Sequence, residues 1–176
     1  MIREVVDRRS VAPEHLERIA QLNDPALIAM DAAVNVIERI YKGEELSQRL
    51  AMLINIAGRQ RMFTQRMMLQ LCLYLSVQRS EQMKQEIMRT MNRFDVSLNI
   101  LRRVTPVAVP GPESEPLVSR LGEVRYSWNE LRERILKTAG LRSGQSSEVM
   151  LDFDRRAEDL LKNMNDIVLL YEGAGG

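Results

Sequence analysis

Residues 54–68 read Ile54-Asn55-Ile56-Ala57-Gly58-Arg59-Gln60-Arg61-Met62-Phe63-Thr64-Gln65-Arg66-Met67-Met68, and the fold turns on how they are read. Alternating steps of four and three pick out Leu50, Ile54, Ala57, Arg61, Thr64, Met68, Leu71 and Leu75. That is a heptad stripe of the kind that faces a partner helix. Only Arg61 and Thr64 interrupt its apolar run. A guanidinium cannot shed its charge, so burying Arg61 demands an anion or a wet pocket.

The segments around this stretch are helical as well. Asn23-Asp24-Pro25 is a start signal, with Asp24 as N-cap and Pro25 at the first helical position. It predicts a helix to about Tyr41, with Gly43 at its C-terminal side. Pro13 opens a shorter helix to about Leu22. A long helix is expected from about Glu44 to Val77, with Glu44 and Glu45 at the positive end of its dipole. Ser80-Glu81 restarts or continues it, and Phe94, Leu98 and Leu101 give the next segment an inward face. That segment is expected to end near Arg103. Val104 to Pro116 holds Pro106, Pro110, Gly111, Pro112 and Pro116, and reads as a stiff, extended loop. Further helices are expected over about Leu117–Thr138, closed by Gly140, and over Glu148–Tyr171, with Leu151, Leu160, Leu161, Met164, Ile167 and Val168 at helical spacing. Leu141 to Ser147 reads as a polar turn. No strand-type alternation competes.

The expected fold is therefore all-α: an antiparallel four-helix-bundle-like domain with an extra N-terminal helix. Residues 1–24 form an N-terminal extension, 25–172 the bundle, and 173–176 a flexible tail. The chain's 176 residues suffice for one core of this size. Its composition agrees, since hydrophobic residues make up 45% but aromatics only 5%, which leaves the packing to aliphatic side chains and 11 Met.

Charge and residue counts exclude several functions. Lys and Arg total 25 against 24 Asp and Glu, so no global field draws the chain to nucleic acid or an anionic membrane. Charges interrupt every apolar run before it reaches membrane-spanning length. His15 is the only histidine. It rules out histidine-rich metal sites and gives no ground for a Ser-His pair, and near the N-terminus it reads as exposed and inert. No glycine-rich phosphate loop or Cys-x-x-Cys occurs, so neither cofactor nor metal is expected, and the chain is read as a non-enzyme. Cys72, the lone cysteine, reads as a small core residue, as do Met62, Met67 and Met68. The opening residues are no secretory leader. The expectation is a cytosolic protein, or one whose leader or anchor lies outside this sequence.

The arginine cluster remains. Arg61 and Gln65 are four apart and stack on one helix face; Arg59 and Arg66 share a neighbouring one. Gly58 lets a backbone or ligand approach closely, at a mid-helix cost of about 1 kcal/mol against Ala. Arginine's planar fork suits carboxylate, phosphate or nitrate oxygens. On spacing alone, Arg61 pairs with an acid from another helix or with an anion from outside. A nucleic-acid patch is disfavoured, because the arginines spread around the helix and few aromatics lie nearby.

Residues 54–67 resemble the signature of PilJ-type domains, the N-terminal sensor domains of type IV pilus chemoreceptors. The usual pattern, I-N-x-A-G-R-Q-R-M-L-S-Q-R-M, is matched except for Phe63 and Thr64. The stretch is also similar to the nitrate box of NarX-type sensor kinases, A-G-x-x-R-M-x-x-x-R. That resemblance implies a homodimer of helical bundles with one nitrate or nitrite on the twofold axis. Arg61 of each chain would grip it. Gly58, Gln65 and Arg66 would lie at the site, with Asn55, Arg59 and Thr64 behind them. It also implies a periplasmic setting and a downstream signalling partner protein. The rival expectation is a ligand-free helical interaction module with Arg61 in an internal salt bridge.

Overall fold

The structure, a computed structural model, describes residues 48–76, 79–140 and 146–174, together with single positions between 14 and 36. Those scattered positions are helical. The rest of the helices expected over 13–22 and 25–41, the sequence before residue 14 and the last two residues of the tail fall outside the described residues. His15 is half-buried, where an exposed side chain was expected.

Among the described residues four long helices carry the fold: α1 (Gln48–Ser76), α2 (Glu81–Ala108), α3 (Ser114–Gly140) and α4 (Ser146–Gly173). No strand occurs among the described residues. α1 packs against α2 and α4, and α3 packs against the same two, so the helices close a four-cornered ring. A helix of 29 residues is about 43 Å long. The short connections between successive helices cannot return over that distance, so neighbours run antiparallel.

Local signals set several boundaries. Ser80 is extended and caps α2, its hydroxyl accepting from the Met83 amide at 3.2 Å. Glu81 follows in the first turn, favourable at the positive end of the dipole. Gly111 turns the chain into α3 with φ +89°, a backbone region that other residues resist.

The Pro-rich segment departs from the expected loop. α2 continues through Pro106 to Ala108, and α3 starts at Ser114, so only residues 109–113 connect them. Pro106 lies on the solvent face, where its ring is tolerated. Its neighbour Thr105 is fully buried, donates to the Leu101 carbonyl at 2.6 Å and meets the Tyr171 hydroxyl of α4. Val109 is also buried. This burial offsets the backbone bond that Pro106 cannot make.

The core runs the length of the ring. Phe94, Leu98 and Leu101 come from α2, Leu121, Val124 and Trp128 from α3, and Leu160, Met164, Ile167 and Tyr171 from α4. Phe94 and Trp128 rings pack tilted by 31°, with centroids 4.2 Å apart. Met67 joins this core, whereas Met62, Met68 and Cys72 are only half-buried.

The seam of α1 is shifted from the expected stripe. Its buried row is Leu50, Leu53, Ala57, Gln60, Thr64, Met67, Leu71 and Tyr74. Four residues of the expected stripe belong to it. The other four move by one position, so Gln60 enters the core and Arg61 is left exposed. A neutral amide is far cheaper to bury than a guanidinium, which decides between two adjacent rows of similar hydrophobicity.

Candidate functional site: the signature segment of helix α1

The signature divides among three faces of α1. Ala57, Gln60, Thr64 and Met67 point into the bundle. Gly58, Arg61 and Gln65, at steps of three and four, lie together on an outward face, with Arg61 and Gln65 exposed and Gly58 half-buried. Arg59 and Arg66 are half-buried on a flank, and Asn55 is half-buried one turn before Gly58.

The inward residues are structural. The Gln60 side-chain amide donates to the Phe94 carbonyl of α2 at 3.0 Å, while its Oε1 is buried without a hydrogen-bond partner. The Thr64 hydroxyl donates to the Gln60 carbonyl at 3.0 Å. Thr64 therefore turns away from the outward face, with its hydroxyl used inside the helix. A second clasp lies further along, where the Thr90 hydroxyl donates to Gln70 Oε1 at 3.0 Å. Sequence reading passed over Gln60. The one-residue shift of the stripe, which puts Leu53, Gln60 and Met67 in register, is the signal that finds it.

The outward face carries one exposed guanidinium, Arg61. Among the described residues, Arg61 has neither an ion pair nor a hydrogen bond. Gly58 sits one turn away, and a Cβ built on it meets nothing within 4 Å. Packing against a described neighbour does not explain this mid-helix glycine. α1 carries Arg49, Arg59, Arg61 and Arg66 and not one Asp or Glu.

Ion pairs between described residues join α2, α3 and α4. Asp95 of α2 binds Arg125 and Arg132 of α3 at 3.0 and 3.3 Å. Arg156 of α4 reaches Glu130 of α3 at 2.8 Å. Among the described residues, no cluster of His, Cys, Asp or Glu is placed to hold a metal ion. No described helix is long and apolar enough to cross a membrane.

The four helices form a bundle, and comparison with known families says to which class of domain it belongs. The family model described as the type IV pili methyl-accepting chemotaxis transducer N-terminal domain, PilJ, matches residues 45–156, and the chain belongs to that family. It is a family of sensory, non-catalytic domains. The match spans α1, α2, α3 and the start of α4. No curated protein and no solved structure matches the chain.

Proposed function

We propose that this sensory domain binds a small oxyanion, nitrate or nitrite, between two copies of the chain, with Arg61 of each as the gripping residue. One observation carries the reading: Arg61 stands on the outward face beside the bare surface of Gly58, with no described carboxylate to neutralise it. Two such faces brought together across a twofold axis repel unless an anion lies between them. The shared anion then offsets the repulsion and links occupancy to dimer geometry. Gln65 adds an amide on the same face, and Arg59 and Arg66 stand half-buried on its flank. A downstream signalling protein would read the change in the dimer.

The alternative, a ligand-free interaction module, loses the internal salt bridge first expected for Arg61, which is absent among the described residues. The two readings separate in a nitrate titration by calorimetry, with mass measured by sedimentation. The anion reading expects saturable binding and a heavier species with nitrate. Arg61→Ala should abolish both, since a charged hydrogen bond contributes about 1.5–3 kcal/mol and two are lost per dimer. Arg61→Lys should weaken binding, because a point charge does not reproduce the fork. Equal affinity in wild type and Arg61→Ala removes Arg61 from the site. No binding by the wild type favours the interaction module.

A further inference from the structure

α2 and α3 make the sparsest contact of the ring, and a groove opens along it. Asn99, Arg102 and Arg103 of α2 face Val118, Leu121 and Gly122 of α3 around a cavity of about 350 Å³. A cavity of that volume accommodates a small molecule. Leu121 is buried and forms an apolar floor, and Val118 forms an apolar edge. Gly122 keeps the α3 side open, since a Cβ there would meet nothing within 4 Å.

Two guanidiniums line this groove, and among the described residues neither Arg102 nor Arg103 has a carboxylate. One turn earlier on α2 the same joint is complete, with Asp95 drawing in Arg125 and Arg132 from α3. At the next turn of that face stands Asn99, a neutral amide, where a second acid would have satisfied Arg102 and Arg103. The groove therefore holds an arginine pair whose carboxylate the described residues do not supply.

We propose that the α2–α3 groove binds a small organic carboxylate, its carboxyl group on Arg102 and Arg103 and its carbon chain over Val118 and Leu121. Asn99 donates or accepts beside the carboxyl group. This site is separate from the outward face of α1 and does not depend on the reading of Arg61.

The test is calorimetry on the full chain with butyrate and with succinate, alongside inorganic phosphate and nitrate. Saturable binding of at least one carboxylate is expected. Arg102→Gln and Arg103→Gln should each weaken it about tenfold or more, the worth of one charged hydrogen bond. Gly122→Leu should block it by filling the open side. All three positions are exposed, and circular dichroism checks that the helices persist. Arg61→Ala should leave carboxylate binding unchanged while abolishing any nitrate binding. The proposal is overturned if neither carboxylate binds, if both arginine variants bind as wild type does, or if phosphate binds as tightly as the carboxylates.

Discussion

One oxygen of Asp95 accepts from both the Trp128 indole N–H, at 2.8 Å, and the Arg125 guanidinium, at 3.0 Å. The carboxylate thus ties α2 to α3 at their sparse joint and satisfies the donor of a fully buried indole. Asp95→Ala should cost about 2–4 kcal/mol, because an orphaned buried donor adds to the lost ion pairs. Asp95→Asn keeps an acceptor for the indole and should cost about half as much. Urea unfolding followed by tryptophan fluorescence ranks the two. Equal losses would mean that the indole bond contributes nothing.

Gln60 contributes little to stability despite its complete burial. Its amide bond to Phe94 is set against an Oε1 buried without a partner. Gln60→Met, of similar volume and without polar atoms, should therefore change stability by less than about 1 kcal/mol in either direction. Gln60→Ala leaves a cavity and should cost about 2–3 kcal/mol. A large loss on Gln60→Met, seen as a lower urea midpoint, would show that the amide is a net anchor.

Gly58→Ala separates folding from recognition. The added methyl meets nothing within 4 Å, so the isolated chain should gain about 1 kcal/mol from helix propensity. The same methyl intrudes on the outward face and should weaken any nitrate-linked dimer. Thermal melts at low protein concentration report the first effect and sedimentation with nitrate the second. A destabilised isolated chain would contradict the open space above Gly58.

Tyr171 should make stability fall at high pH. Burial pushes its hydroxyl up to about 12, partly opposed by the bond to Thr105. A raised value means that the folded state holds the proton more tightly. The contribution, about 3 kcal/mol, is complete below pH ~10 and is lost as pH rises towards ~12. Tyr171→Phe should lose most of this slope between pH ~9 and ~11.5 in urea titrations. Identical slopes in the two proteins would exclude Tyr171 as its source.

Much of the architecture was legible because long helical periodicity is a strong signal. The Gly140 end and the inward Phe94, Leu98 and Leu101 follow from local pattern, and Ser80 caps a new helix where the pattern left a restart or a continuation open. Two features were not legible. Pro106 reads as a breaker, and only the tertiary bond between Thr105 and Tyr171 shows why the helix passes through it. The seam of α1 offered two rows, because Leu53 and Ile54, or Met67 and Met68, are equally apolar. The choice rests on the cost of burying a guanidinium, which no hydropathy pattern contains. Asp95 with its three α3 partners, and the groove at Arg102 and Arg103, arise from positions far apart in sequence and leave no local trace.

The two glutamine clasps on α1 have a mechanical consequence. Gln60 holds α2 at Phe94, and Gln70 holds it at Thr90. Ten residues of helix separate them, about 15 Å along the axis. Two bolts at that distance stop one rod from sliding or rolling against the other. α1 and α2 therefore travel as a single plate. Any displacement of α1 at Arg61 is therefore passed on to α2, whose sparser joint to α3 is pinned at Asp95.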